Sequence, residues 1–444
     1  MRKKILLSLT VLILSCTALL HAQEKIFPYE VHSATLDNGL TAIIIPMDSP
    51  GLVSYHTVVR TGSRDEWEPG KSGFAHFFEH MMFRGTERFP GPVYDSLVTS
   101  IGADANAYTT NDRTVYHLNF ASEDLEKVMD LEADRFQRLQ YSKEDFQTEA
   151  GAVYGEYRKS VTSPWQVGFE KLHDMAFDKH TYKHTTIGFE RDIKMMPEQY
   201  EYSLTFFDRY YRPDNIVLLI VGDIAPSQTL DLVKKYYGEW ESGYVEPQIT
   251  PEPPQKGERT TSIDFEGRTL PLLMVAYKGD AFEVDNKLML AVSLLDELAF
   301  GSTSDIYKKL VLNEQKVQFI SAGFSFSRDP GLLNIYSMIK NDDDVEYVKN
   351  KIYETLEKFK NEPVDEQRLE DLKNRTKYQF LMSLDTPDNV ASSLPTFLTY
   401  VPRVGIIDDL FNNLMEVTPE DIQEAAKHYF QKDKRNVVEV RGMN

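Results

Sequence analysis

His76, Glu79 and His80, in the run GFAHFFEHMMFRGT, place two imidazoles and a carboxylate within one helical turn of each other. On a helix, residues four apart share a face, so His76 and His80 can take two corners of a metal tetrahedron. Glu79 adjoins His80 along the chain and is an awkward further ligand, but it can hold a water against the metal and take its proton. This order inverts the common His-Glu-x-x-His arrangement. A hydrolytic zinc needs a third protein ligand and an open position, where it lowers the pKa of bound water to about 7. Downstream, TEAGAVYGEYRKS carries Glu149 and Glu156, seven apart and so on one helical face. The spacing lets either reach the metal.

The elements that must position these groups are legible nearby. KSGFAHFFEHMMFRG reads as a helix between Gly73 and Gly85, with Phe74, Phe77, Phe78, Met81 and Met82 as its core side. SKEDFQTEAGAVYGEYRKS reads as a second helix with Ser142 as N-cap. TLDNGLTAIIIPMD, VSYHTVVRTGS and RPDNIVLLIVGDI read as strands, and ANAYTTNDRTVYHLNF as a hairpin turning near Asn111 and Asp112. The expected class is α+β, antiparallel-rich sheets with helices packed on one face. His117, His173, His180 and His184 lack helical pairing and read as structural or exposed.

The second half echoes the first. EQYEYSLTFFDRYYRPDNIVLLIVGD resembles EDIQEAAKHYFQKDKRNVVEVRG: a helix, an aromatic pair, a turn with Asn215 or Asn436, then a Val-rich strand. Such a long period means two homologous domains. GYVEPQITPEPPQKGE, rich in proline and without periodicity, reads as a linker. The expected division is 28–240, a linker at 241–260, and 261–442.

The chain of 444 residues, 41% hydrophobic and 27% charged, has ample material for more than one core. A net charge of −20 disfavours nucleic acid as a partner, since a phosphate backbone is met by basic surface. Arg2, Lys3 and Lys4 precede an apolar run ending at Leu20, with Ala22 at a cleavage point. This reads as a signal peptide over 1–22, an exported and periplasmic mature chain beginning near Gln23, and, as the competing reading, an uncleaved anchor. Cys16, the single cysteine, stands in LILSCTALL and offers lipoprotein anchoring as an alternative. With no other thiol, any metal must be held by histidine and carboxylate.

NGL, GSRDE, GFAHFFEHMMFRGT, GADANAYTTNDRTVYHL, EAGAVYGEYRK and YYRPDNIVLLIVGD together resemble the pitrilysin/insulinase family of zinc peptidases, the inverzincins, in its shorter branch. That branch includes the mitochondrial processing peptidases and their bacterial relatives. The resemblance covers about residues 28 to 225 and continues more weakly through LLDELAFGSTSDIYKKL. It implies one Zn2+ per chain on His76, His80 and Glu156, with Glu79 as catalytic base and Glu149 as a supporting acid behind the ligands. It implies that Ala105, Asn106, Ala107, Tyr108 and Thr109 form an edge strand pairing with the substrate backbone, a mode that accepts many extended sequences. It also implies two homologous α+β domains, and pairs of such units closing into a chamber for unfolded peptides.

Members of that family that work alone or as homodimers carry an Arg and, seven residues on, a Tyr in the second half. Here those places fall near Val311 and, after a one-residue insertion, near Phe319, in STSDIYKKLVLNEQKVQFISAG, and neither side chain can donate a hydrogen bond. The expected partner is therefore a related chain without the zinc motif but with the Arg/Tyr pair, a homodimer being the runner-up. The leading expectation is a zinc endopeptidase acting on peptides. The competing expectations are a non-catalytic partner or scaffold of the same fold, and a zinc hydrolase of a non-peptide amide.

Overall fold

The computed structural model describes residues 24–443. The expected signal segment 1–22, with Cys16, lies outside the described residues. β1 (His32–Thr35), β2 (Thr41–Pro46), β3 (Leu52–Val59), β4 (Asp104–Thr109), β5 (Thr114–Ala121) and β6 (Ile216–Gly222) form one sheet, in the order β1-β2-β6-β3-β5-β4. β7 (Arg259–Phe265), β8 (Leu272–Lys278), β9 (Val317–Gly323), β10 (Leu332–Ile339) and β11 (Arg435–Gly442) form a second, in the order β7-β11-β8-β10-β9. With β1 set aside, the two orders are the same. In each sheet the last strand inserts parallel to the first and antiparallel to the second. The matched asparagines sit at the same place: buried Asn215 donates to the Tyr210 carbonyl just before β6, and buried Asn436 to the Lys434 carbonyl at the start of β11.

The helices of the first half are α1 (Phe74–Met81), α2 (Gly91–Ser100), α3 (Leu125–Arg138), α4 (Lys143–Ser160), α5 (Pro164–Ala176), α6 (Glu190–Met195), α7 (Tyr200–Tyr210) and α8 (Pro226–Tyr237). α9 (Lys287–Phe300) follows β8 as α1 follows β3. One face of the first sheet, with Tyr55, Tyr116, Leu118, Leu218 and Ile220, shares a core with Phe74, Phe77 and Phe78 of α1 and Phe206 of α7.

The opposite face is not left to solvent. Ile43, Ile45, Val58, Val217, Leu219 and Val221 share a core with the second half, and the helix Pro387–Ser393 lies on β3 and β6. The second sheet is treated in return. Its Leu272, Met274, Val438 and Val440 are covered by Leu172 and Ala176 of α5, a helix of the first half. Each sheet thus carries its own helices on one face and a helix from the other half on the second. This is why β6, IVLLIVG, is buried along its whole length rather than at alternate residues.

Polar contacts reinforce the junction. Arg64 Nε donates to Asp329 Oδ2 at 2.5 Å, and His180 Nε2 lies 3.0 Å from the same oxygen. Tyr182 donates to one oxygen of Asp112 at 2.5 Å and the Arg328 amide to the other at 2.9 Å. Residues 241–258 contain no helix or strand, yet they are anchored: the Glu252 carboxylate accepts the amides of Asp178, Lys179 and His180 at 2.8 to 3.0 Å.

Candidate metal centre

α1 begins at Gly73, whose φ of 96° is left-handed; an added Cβ would lie 2.7 Å from the Ile187 carbonyl oxygen, so glycine is required. The N-terminus of the helix is held by Glu66 of the GSRDE run, whose carboxylate accepts the amides of Gly73 and Ala75 at 2.7 and 2.6 Å. A carboxylate there meets both unsatisfied donors and the positive end of the helix dipole. Phe74, Phe77, Phe78, Met81 and Met82 are all buried, as the pattern of the run predicts. Phe78 stacks on Phe206 with ring centroids 5.2 Å apart. α4 starts at Ser142, whose hydroxyl accepts the Asp145 amide at 3.1 Å while Asp145 accepts the Ser142 amide at 3.1 Å. α1 and α4 pack together, which turns Glu149 and Glu156 toward the histidines.

His76, His80 and Glu156 offer ligand atoms all within 4.8 Å of one another. His76 Nε2 lies 3.6 Å and His80 Nε2 3.4 Å from Glu156 Oε2. Tetrahedral zinc, with bonds of about 2.0–2.1 Å, holds its ligand atoms about 3.3 Å apart. The donor set and its spacing therefore fit a zinc ion. Glu149 takes the other side of His80: its Oε1 lies 2.9 Å from Nδ1, and since a carboxylate only accepts, Nδ1 carries the proton and Nε2 is left free. Its Oε2 accepts from Arg84 Nε at 2.8 Å and from the same guanidinium's Nη2. Of the two glutamates that spacing left open, Glu156 faces both imidazoles and Glu149 stands behind one.

The charges follow from these contacts. Burial, helped by the neighbouring His80, pushes His76 down to about 4, which keeps it neutral. The Glu149 bond raises His80 against its own burial. The His80 bond in turn holds Glu149 low, with Arg84 adding to it. Burial raises Glu79, tempered by a 2.7 Å hydrogen bond from Thr109 Oγ1. A raised carboxylate beside the ligands suits a group that must pick up and release a proton.

β4 is the outer strand of its sheet, so one edge of Asp104–Thr109 has no strand partner among the described residues. Glu79, His80, Glu149, Asn106 and Ala107 line one cavity of about 780 Å³. Ala105, Ala107 and Thr109 lie on the side of the strand facing α1, and Asn106 and Tyr108 on the other, since Ala107 is paired with Tyr116, whose hydroxyl donates to the Phe78 carbonyl. His173 Nδ1 meets the Tyr182 carbonyl and His184 Nδ1 that of Thr185, structural positions as expected. Val311 lies in the short π-helix Lys308–Asn313, and Phe319 on β9 stacks on Trp165 with ring centroids 5.6 Å apart. Arg84 and Glu66 escaped the sequence reading. Arg84 lies four residues beyond His80, in the 3-10 turn Met82–Arg84 that continues α1, and that spacing is the available signal.

A family model described as Insulinase (Peptidase family M16) matches residues 47–189, and one described as Peptidase M16 inactive domain matches 199–376. The chain is 28% identical over 441 residues to the zinc protease PqqE of Helicobacter pylori, covering 96% of each. Among solved structures, a protease from Helicobacter pylori superposes with a TM-score of 0.87 at 25% identity, over 93% of this chain and 99% of the other. The periplasmic protease PqqL from Escherichia coli superposes with a TM-score of 0.76 at 20% identity, over 93% of this chain but 48% of that one.

Proposed function

Since the chain belongs to the insulinase family, peptidase family M16, we propose that it is a zinc-dependent endopeptidase that cleaves extended or unfolded peptides. The observation that carries this reading is the fit of His76, His80 and Glu156 to the spacing of a tetrahedral zinc, with Glu79 beside them at a cavity bordered by an edge strand. His76, His80 and Glu156 would hold the ion; when bound, zinc acidifies a water and polarises the scissile carbonyl. Glu79 accepts the proton of the attacking water and delivers it to the leaving amine, held by Thr109 meanwhile. Glu149 fixes the tautomer of His80. The free edge of Ala105–Thr109 binds the substrate main chain as an added strand, which selects extended chains over folded ones. Residues 28–240 form the catalytic unit and 261–442 its counterpart without the zinc motif, joined by 241–260.

The test is Glu79→Gln. It removes the base and no ligand, so zinc should stay and hydrolysis of an unstructured peptide should fall by at least about 100-fold. Near-parental turnover would refute the mechanism. His76→Ala should release one equivalent of metal; an unchanged metal content would refute the ligand assignment.

The mature chain is exported, beginning near Gln23, or at Cys16 if lipidated; N-terminal sequencing distinguishes the two. Its resemblance to a protease described as periplasmic supports this, and no described helix is long and apolar enough to cross a membrane. Val311 and Phe319 cannot donate to the oxyanion of amide attack, and one such donor is typically worth about 100- to 1000-fold. A related chain bearing the Arg/Tyr pair would supply it, as a heterodimer. High activity of the lone chain, unaffected by a candidate partner, would overturn that. The second reading, a non-catalytic scaffold, draws on the inactive-domain match over 199–376; it predicts zinc without hydrolysis in the parent protein.

A further inference from the structure

On the sheet face turned away from α1, a second group of donors converges. His56 on β3 stands directly opposite His117 on β5, in register, with the two rings stacked at 5.2 Å between centroids. Cross-strand neighbours of this kind bring their Cβ atoms to about 5 Å, close enough for two imidazoles to share one ion. Asp388, from the helix Pro387–Ser393 of the second half, completes the group: all three offer ligand atoms within 4.8 Å of one another.

The polar atoms here are unusually short of partners. His56 is 1% exposed; its Nε2 meets Ser54 Oγ at 3.1 Å, and its Nδ1 is buried without any partner. His117 Nδ1 and Asn119 Oδ1 are likewise buried and unpartnered. Asn119 lies two residues beyond His117 on the same face of β5 and donates its Nδ2 to Asp388 Oδ1 at 3.0 Å. Buried polar atoms ordinarily find partners, because each one left bare costs about 1–3 kcal/mol. The three residues that carry these orphans stand beside one another on this face, two of them with ligand atoms in reach of the Asp388 carboxylate and the third hydrogen-bonded to it, and an ion held there would give the imidazoles a partner. Two imidazoles and a carboxylate favour a first-row transition metal such as zinc over calcium or magnesium, which prefer all-oxygen sites. Asp104, opposite Asn119 across the β4–β5 pair, turns to the same face and adds a second negative charge to balance a dication.

We propose that His56, His117 and Asp388 form a second divalent-metal site, separate from the His76, His80 and Glu156 set, which fastens the helix Pro387–Ser393 to the back of the first sheet. The ion ties β3 and β5 to an element that arrives from the other half of the chain. Asp388 is exposed, so the site can load and unload without unfolding. Its task is mechanical. No catalytic residue lies on this face, and the site stands or falls independently of peptidase activity.

The experiment uses the full mature chain with His80→Ala and Glu156→Ala together, which leaves the first site a single ligand. After dialysis against micromolar Zn2+ and then metal-free buffer, elemental analysis should still find about one zinc per chain. Adding Asp388→Ala, at an exposed position that spares the fold, should remove it; His117→Gln should do the same. Zinc should raise the Tm of the double variant, and a chelator should reverse the rise, with neither effect once Asp388 is replaced. Co2+ in place of zinc should give a visible absorption band that disappears with Asp388→Ala. A double variant that is folded by circular dichroism yet holds no metal would overturn the proposal. So would bound metal that survives both Asp388→Ala and His117→Gln.

Discussion

Glu149→Gln isolates the contribution of a group that touches no metal. Glu149 is a nearly enclosed carboxylate, its side chain 9% exposed, with one oxygen on His80 Nδ1 and the other on the Arg84 guanidinium. Solvent screening of these bonds is therefore small. Glutamine keeps the shape but has one acceptor where two donors must be met. If its oxygen turns to His80, its NH2 faces Arg84, donor against donor. If its NH2 turns to His80, Nδ1 must accept and the proton moves to Nε2, the atom that faces Glu156. Either way one charge-assisted hydrogen bond is lost, a cost of about 1.5–3 kcal/mol. At 1.4 kcal/mol per factor of ten, that is about 10- to 150-fold in zinc affinity, in line with the usual cost of removing a ligand's outer partner. The assay is zinc competition against a chromophoric chelator, run beside Glu156→Gln, which removes a ligand and should lose more. Arg84→Met should cost less than either, because Glu149 keeps its charge and its bond to His80. Zinc affinity in Glu149→Gln within twofold of the parent would refute the reasoning, and so would a loss equal to that of Glu156→Gln.

Thr109→Val should raise the acidic limb of the kcat/KM profile against pH: the Thr109 hydroxyl bonds the ionised form of Glu79 and lowers its pKa, so removing it makes the base harder to ionise. An unmoved limb would separate Glu79 from that titration. Asp329→Asn should destabilise the fold by about 3 kcal/mol at pH 7, because it leaves the enclosed Arg64 without its closest partner. Burial works to raise Asp329, but bonds from His180 and Arg64 outweigh it and hold the group well below the usual carboxylate range. A depressed carboxylate stabilises fully above its unfolded pKa of about 3.9 and loses that contribution as pH falls toward its folded value. Denaturant midpoints of parent and variant should therefore differ at pH 7 and approach each other only below about pH 4; a gap that closes already at pH 6 would contradict the assignment. Gly73→Ala should lower the Tm and the zinc content together, since a Cβ cannot be placed at the start of α1 without shifting the helix that carries both histidines.

Much of the site could be read from the chain because its parts are local. His76, Glu79 and His80 lie on one helix that starts after Gly73, so their relation depends on helical geometry alone. Glu149 and Glu156 could be placed on a common face for the same reason; which of them meets the ring nitrogens depends on how α4 crosses α1, which spacing does not encode. The duplication was visible around Asn215 and Asn436 because both copies keep the helix, turn and buried strand. The exchange of covering helices was not, since an apolar strand face says only that something covers it. His117 illustrates the same limit. No helical spacing pairs it with anything, and its neighbour His56 becomes evident only once the register of β3 on β5 is known.

The exchanged helices bear on how such a chain is made. Synthesis delivers the N-terminus first, and the strands of the first sheet are complete once Gly222 has emerged. One face of that sheet then stays bare, Ile43, Ile45, Val217 and Leu219 included, until the segment ending at Ser393 follows. A nascent first half is thus a sticky intermediate, in need of a holding chaperone or of delayed folding. Nor can the second half be shed over generations while the first survives, since deleting it strips the first of part of its core. The retention of a half without the first-site metal ligands needs no catalytic reason.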